Sequence, residues 1–257
     1  MRTKAGWAVI AALAMLTAAM LPGAGFAVVS LTPVTNHATA GATATITSVT
    51  SSNWAGYAAL GSKGTVTKVT GTWVEPNVSC SSGRTTDVAT WVGIDGYSTS
   101  DLVQTGASGD CSGTTLSYYA WWEILPAPET TISSFNVHAG DKITASVAYS
   151  TSAGKFTMKI TDGTQSFSKT RSVASTARNS AECVVERDSV GGTLNHFSKF
   201  KADRFSSCTA AIGGASGGIG SLATVSKINM YNGATLLAST GALTSNKAFT
   251  VTWKAYG

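Results

Sequence analysis

Apolar and polar residues alternate along most of the chain after about residue 50, with the period of two that is typical of β-strands. Gly, Asn, Asp or Ser residues separate the alternating segments, and no segment of helical length shows a period of 3.6. The segments are NWAGYAAL, TVTKVTGTWVEP, VATWVGIDG, LVQTG, LSYYAWWEILP, KITASVAYS, KFTMKITDG, SFSKTRSV, AECVVE, SKINMYN and AFTVTW. About a dozen short strands predict an all-β protein, an antiparallel β-sandwich of two sheets.

Alternation also predicts which side chains share a face, because successive residues of a strand point to opposite sides of the sheet. Apolar residues such as Val92, Ile94 and Val185 fall on one face. The opposite face carries aromatic residues, carboxylates and one amide: Trp91, Asp95, Gln104, Tyr119, Trp121, Glu123, Glu182 and Glu186. Exposed tryptophans beside carboxylates are typical of a groove that binds a ligand.

The first 27 residues have the pattern of a secretory signal peptide. Arg2 and Lys4 precede an apolar run of suitable length, and small residues lead to a cleavage position near Ala27. Pro22 and Gly23 interrupt the apolar run, which argues against a transmembrane anchor. Residues 28–48 contain no charged side chain and are interpreted as a leader or short pro-segment. Residues 49–257 are long enough for one large β domain.

Charged residues make up 12% of the chain, about half the share that is usual in globular proteins. Without Arg2 and Lys4, the formal net charge falls from +5 to +3. No basic run with interleaved aromatic residues occurs, so a nucleic-acid partner is not expected. Few carboxylates also favour tolerance of acid, because acid denaturation mostly follows the protonation of paired carboxylates.

The four cysteines are Cys80, Cys111, Cys183 and Cys208. In an exported chain an even number of cysteines favours disulfides over a metal site, and no spacing matches a zinc motif. Three pairings are possible. The sequential pairing, Cys80 with Cys111 and Cys183 with Cys208, is preferred because each pair flanks a plausible hairpin.

Other kinds of catalytic site have weaker support. The segment GASGG around Ser216 matches the G-x-S-x-G pattern, but that pattern needs a following helix, so a Gly-rich turn is expected. Only His138 and His196 follow the leader, and neither has an inferable aspartate partner for a serine peptidase. Glu123 and Glu182 could instead serve as the acid and base of a glycosidase, and exposed tryptophans also suit a lectin-like sandwich that binds carbohydrate.

Seven motifs in order resemble the glutamic peptidases, or eqolisins: SSNWAGY, TGTWVEP, TWVGIDG, LVQTG, YYAWWEILP with AGDKITASV, NSAECVVE and AFTVTWK. The likeness covers residues 50–257. It implies a β-sandwich with a concanavalin-like shape and a secreted endopeptidase that acts at acidic pH without metal or cofactor. A polypeptide substrate, a monomeric state and no membrane association after signal cleavage are expected with it.

The resemblance also implies residue roles. Gln104 of LVQTG and Glu182 of AECVVE correspond to the catalytic pair. The substrate groove would include Trp54, Trp91, Trp121 and Glu123, with Asp95 and Glu186 as supporting groups. Glu182 would take a proton from the attacking water, and Gln104 would stabilise the oxyanion. Action at low pH further implies that the pKa of Glu182 is not greatly raised.

Overall fold

The computed structural model of the protein describes residues 44–257 and the backbone of Thr32–Val34. The predicted signal peptide and most of the predicted leader therefore lie outside the described residues. The strands are β1 (Thr32–Val34), β2 (Thr45–Ser51), β3 (Trp54–Leu60), β4 (Val66–Val74), β5 (Val78–Ser79), β6 (Thr85–Asp87), β7 (Ala89–Asp95), β8 (Leu102–Ser112), β9 (Thr115–Ile124), β10 (Thr130–Thr131), β11 (Lys142–Ser150), β12 (Lys155–Thr161), β13 (Ser166–Arg171), β14 (Ser180–Glu186), β15 (Ser189–Val190), β16 (Thr193–Leu194), β17 (His196–Phe197), β18 (Lys199–Phe200), β19 (Asp203–Ile212), β20 (Ala215–Gly218), β21 (Thr224–Asn232), β22 (Thr235–Thr240) and β23 (Phe249–Trp253). A short 3₁₀ helix spans Ile219–Ser221.

The strands form two stacked layers. Sheet A has the order β2–β21–β3–β14–β7–β8–β9, and all its neighbours are antiparallel except β2 and β21. Sheet B has the order β13–β12–β11–β4–β19–β23–β22 and is antiparallel throughout. The β21–β22 hairpin connects the two sheets along one edge. The predicted antiparallel β-sandwich is confirmed.

The main core lies between the sheets, where β4, β11 and β12 pack on β14, β7 and β8. It receives the residues that alternation assigned to the inner face, including Val92, Ile94 and Val185. The disulfide Cys183–Cys208 joins β14 of sheet A to β19 of sheet B, and Cys80–Cys111 ties a surface loop to β8. Both are the sequential pairs that the sequence favoured.

Each predicted segment overlaps a strand of the structure, but three details differ. Sheet A already begins at Thr45, four residues before the predicted start of the domain. The Gly-rich segment turns at Gly213 and Gly214 and then continues as strand β20, so it is not simply a flexible turn. Strands β19 and β22 were not predicted. Among the described residues there is no helix long and apolar enough to cross a membrane.

Candidate active site

One row of residues crosses sheet A on the face that points away from the main core. Strand register places Ala58, Glu182, Gly93, Gln104 and Glu123 side by side on β3, β14, β7, β8 and β9, and we call these five residues the central row. Neighbouring strands lie about 4.8 Å apart, so the backbones of Glu182 and Gln104 are separated by about 10 Å. The residue between them is a glycine, which leaves room for other groups.

The room above Gly93 is shared by two neighbouring side chains. A Cβ atom added to Gly93 would lie 2.8 Å from Leu102 Cδ1 and 2.8 Å from Trp91 Cζ3. Such distances are shorter than a van der Waals contact, so no larger residue fits without displacing these groups. The strand-interior glycine therefore marks a place where side chains approach the backbone closely.

Gln104 is held by a carboxylate on the next strand. Its Nε2 donates a hydrogen bond of 2.5 Å to Glu123 Oε2. Its Oε1 is buried and has no hydrogen-bond partner among the described residues. Burial raises the pKa of Glu123 to about 7, although the bond from Gln104 lowers it. The amide is thus oriented on one side, while its oxygen and its second N–H remain free to meet a ligand.

Glu182 is fully buried, with 0% of its surface exposed. Neither carboxylate oxygen has a hydrogen-bond partner among the described residues. Burial raises the pKa of Glu182 well above its ordinary value; the nearby Ser180 side chain offsets part of this rise, and the carboxylate of Asp95 adds to it. The expectation of a pKa that is not greatly raised is therefore wrong for this structure. Alternation identifies the face on which a residue lies, but not whether other groups cover that face.

Asp95 anchors the chain segment that leads into β14. Its carboxylate accepts backbone N–H bonds from Arg178 at 2.8 Å and from Asn179 at 2.9 Å. Asp95 has a positive φ of 74°, which is uncommon for a residue other than glycine. These bonds fix the start of the strand that carries Glu182, so Asp95 acts on the site through the backbone.

Glu186 lies two rows from Glu182 on the same face. It accepts hydrogen bonds from Asn53 Nδ2 at 2.6 Å and from Trp91 Nε1 at 2.8 Å. Burial raises the pKa of Glu186 to about 8. Trp54 packs with its edge against Trp91, at a centroid distance of 5.0 Å. Glu186 therefore fixes the orientation of the indole beside the central row.

The three predicted groove tryptophans are packed rather than exposed. Trp54, Trp91 and Trp121 have 2%, 0% and 3% of their surface exposed, and Trp121 Nε1 donates to Ser108 Oγ at 2.8 Å. They belong to a second apolar cluster on the outer side of sheet A, with Val49, Ala58, Ala89, Leu102, Val184 and Ile228. The expectation of exposed tryptophans is wrong, because loop residues cover this face.

Sequence reasoning missed several residues at the site. Asn53 lies in the SSNWAGY motif, and its place in that motif was a usable signal. Leu102 precedes Gln104 by two residues, so alternation put it on the same face. Tyr97 and Ser226 had no such signal, because their nearness to the central row depends on strand order. Among residues 44–257 no group of three or more His, Cys, Asp or Glu side chains is arranged to hold a metal ion. The absence of a cofactor remains a prediction.

Comparisons with known proteins agree on one family. The family model "Peptidase A4 family" matches residues 52–253. A search of curated sequences finds no match. Three solved structures match with the same fold: scytalido-glutamic peptidase with a transition state analog inhibitor, SCP-B, a member of the eqolisin family, with a tripeptide Ala-Ile-His, and aspergilloglutamic peptidase from Aspergillus niger.

The three structures resemble the chain to different extents. Scytalido-glutamic peptidase has a TM-score of 0.67 and 24% identity, over 79% of this chain and 98% of that one. SCP-B has a TM-score of 0.62 and 23% identity, over the same shares of 79% and 98%. Aspergilloglutamic peptidase has a TM-score of 0.56 and 27% identity, over 66% of this chain and 99% of that one. The family match over most of the β-sandwich shows that the chain belongs to the peptidase A4 family, the glutamic peptidases, and is a hydrolase of peptide bonds.

Proposed function

We propose that the protein is a secreted endopeptidase that acts at acidic pH with Glu182 and Gln104 as its catalytic pair. The observation that carries the proposal is the central row, in which both side chains lie on one face of sheet A with only Gly93 between them. Each also has a buried oxygen without a hydrogen-bond partner among the described residues. Such unpaired buried groups are costly and are typical of positions that meet a ligand.

Glu182 is the general base in this proposal. Its carboxylate takes a proton from a water molecule as that water attacks the scissile carbonyl, and it later returns a proton to the leaving amine. Positioned acid-base catalysis typically contributes about 10² to 10⁴ in rate. A base must be ionised, whereas burial raises the pKa of Glu182 in this conformation. Catalysis at acidic pH therefore requires that water or substrate reaches the carboxylate.

Gln104 stabilises the oxyanion. One N–H of its amide is bonded to Glu123 and the second is available for the developing negative charge. One such donor is worth about 2.7 to 4 kcal/mol in the transition state. An amide does not titrate, so it remains a donor at a pH where a second carboxylate would change its protonation state. Asp95 and Glu186 support the site through the backbone and through Trp91.

Secretion is proposed from the N-terminal sequence and the disulfides. Residues 1–27 have a signal-peptide pattern, and residues 28–48 are proposed as a leader or pro-segment before the peptidase domain. Both described disulfides join residues of the peptidase domain, as is usual in oxidising compartments. A monomer with polypeptide substrates and no nucleic-acid or membrane partner is proposed with this function.

Cleavage of a denatured protein tests the catalytic pair. We expect activity at about pH 3 to 4 that a metal chelator does not reduce. Glu182→Gln should lower kcat/KM by about 10³-fold or more, and Gln104→Ala by about 10²-fold. Asp162→Asn, in the turn between β12 and β13 of sheet B and away from the central row, is the control and should keep its activity.

Two results would contradict the proposal. Full activity of folded Glu182→Gln would show that Glu182 is not the general base. Binding to a polysaccharide without proteolysis at any pH would favour the lectin-like alternative instead.

A further inference from the structure

The loop that connects β7 to β8 reaches across the central row. It comprises residues 96–101, and its Tyr97 hydroxyl lies 2.6 Å from Ser226 Oγ. Ser226 is on β21, directly opposite Ala58, which in turn lies opposite Glu182. From β7 the strand order runs through β14 and β3 to β21, so this hydrogen bond spans the two strands that carry Glu182 and Ala58.

The span explains why Glu182 is buried. Three strand spacings of about 4.8 Å separate β7 from β21, so the tyrosine has to extend over the sheet to reach Ser226. Tyr97 packs on the second apolar cluster, whose members include Ala58 and Val184. Ala58, which lies between Ser226 and Glu182 in the register, has only a methyl side chain. Glu182 has 0% of its surface exposed, and neither carboxylate oxygen has a partner among the described residues.

The same loop also closes the space above Gly93. Its C-terminal end runs into Leu102, whose Cδ1 atom lies 2.8 Å from the position of a Cβ on Gly93. Leu102 and Tyr97 therefore cover the central row on both sides of β7. In this conformation Glu182 has none of its surface exposed, so a polypeptide does not reach its carboxylate.

The two ends of the loop are fixed, which confines any movement to its tip. At the first end the Asp95 carboxylate binds the backbone N–H groups of Arg178 and Asn179. At the other end the Asp101 carboxylate accepts the backbone N–H of Ala177 at 3.0 Å. Gly96 follows Asp95 with a φ of 98°, a conformation that favours glycine.

We propose that Tyr97 is a gate over Glu182 and that its hydrogen bond to Ser226 holds the gate closed. Besides this bond, the loop tip is held by the long side-chain bond from Asn179 Nδ2 to Ser98 Oγ at 3.4 Å. Breaking the Tyr97 bond therefore weakens the hold on the loop tip, which then swings off β14 and β3 and opens the central row to water and to a polypeptide. The gate rests on the proposed function, because it regulates access to the proposed general base. Neither Tyr97 nor Ser226 takes part in the chemistry; both act by controlling exposure of the carboxylate.

Chemical labelling of Glu182 tests the gate without measuring activity. The protein is treated at about pH 5 with a water-soluble carbodiimide and an amine, and labelling of each carboxylate is followed by peptide mass spectrometry. In the unaltered protein Glu182 should label far more slowly than Asp162, which lies in the solvent-accessible turn between β12 and β13. Tyr97→Phe and Ser226→Ala should each raise the labelling rate of Glu182 about fivefold, the loss expected for one hydrogen bond.

The double variant and a control make the test specific. Because both substitutions remove the same bond, the double variant should label Glu182 no faster than either single variant. Tyr231→Phe, on β21 but beyond the central row, should leave the rate unchanged. An unchanged rate in folded Tyr97→Phe and Ser226→Ala, or rapid labelling of Glu182 in the unaltered protein, overturns the gate.

The labelling result separates the gate from the proposed function. If Glu182 is not the general base, Glu182→Gln remains active while the labelling pattern is as described. If the gate is wrong, Glu182→Gln is inactive but the labelling rates do not respond to Tyr97 or Ser226.

Discussion

The outer faces of the two sheets follow the same alternating sequence pattern, but one face is exposed to solvent and the other is largely covered. On sheet B the outward positions face solvent. They contain Ser, Thr and the exposed cations Lys68, Lys142, Lys155, Lys159 and Arg204. No Asp or Glu occupies an outward position of the described strands β4, β11, β12, β13 and β19. On sheet A the outward positions include Glu123, Glu182 and Glu186, which are covered by tryptophans and by a loop.

The difference shows that a polar residue on the outer face of a sheet is not necessarily exposed to solvent. On sheet B, hydroxyl groups pair across strands, as between Thr72 and Thr144 at 3.0 Å, and charged ends remain in water. On sheet A, carboxylates lose their hydration, and their pKa values rise. The proposed catalytic residues both lie on sheet A, so substitutions on the two outer faces should differ strongly in their effects.

Outside the proposed catalytic pair, the largest effect is expected for Gly93→Ala. The added methyl group would meet Trp91 and Leu102 at 2.8 Å and displace these side chains beside Glu182 and Gln104. We expect kcat/KM to fall at least about a hundredfold, with a loss of about 1 to 3 kcal/mol in the free energy of unfolding. Peptide hydrolysis and urea unfolding measure the two quantities. Retained activity would show that the central row needs no gap at this position.

A smaller effect is expected when Gln104 loses its partner. Glu123→Ala removes the acceptor of the 2.5 Å bond from Gln104 Nε2 and leaves the amide free to turn. We expect kcat to fall about tenfold. Glu123→Gln keeps an acceptor oxygen at the same place and should restore most of the activity. If both variants are equally impaired, the negative charge of Glu123 matters rather than the orientation of Gln104.

Stability should depend on pH in the sense opposite to ordinary acid denaturation. Burial raises the pKa of Glu75 to about 8, and of Asp87 and Asp203 to about 7. A raised pKa means that the folded state holds more protons than the unfolded state, so stability is complete below about pH 4 and is lost as pH rises through 7 to 8.

Thermal unfolding of Glu182→Gln, which avoids self-digestion, measures this dependence. We expect the Tm to be on the order of 10 °C lower at pH 8 than at pH 4. Glu75→Gln should reduce the difference, because the amide can still accept the bond from Trp73 Nε1 but does not titrate. A Tm that is constant or higher at pH 8 would refute the argument.

The smallest effect is expected on the outer face of sheet B. Lys159→Gln removes an exposed cation that lies opposite Ser146 and Ser168. The free energy of unfolding should change by no more than about 0.5 kcal/mol, and kcat/KM should stay within about twofold. A large loss of activity would indicate that sheet B takes part in substrate binding. The proposed functional difference between the two outer faces would then be wrong.

The sequence predicted correctly which face of sheet A the candidate residues occupy. Gln104 and Glu182 were selected from their motifs, and alternation correctly put Trp91, Trp121 and Glu123 on the face opposite Val92 and Ala120. The order of the motifs indicated the family that the comparison of residues 52–253 shows. The predicted exposure of the tryptophans was wrong. Alternation with a period of two assigns residues to one face or the other, but it does not show which loops or side chains cover that face.

Local pattern was sufficient for most of the strands, the sandwich class and the cysteine pairs, because each of these depends on neighbours along the chain or on short motifs. The catalytic roles of Gln104 and Glu182 remain a prediction. The partnership of Gln104 with Glu123, the gap at Gly93 and the cover over Glu182 depended on strand order. Tyr97 and Ser226 are 129 positions apart in the chain, and only the packing of β21 beside β3 brings them into contact. Long-range contacts of this kind set the desolvation of Glu182 and hence its pKa.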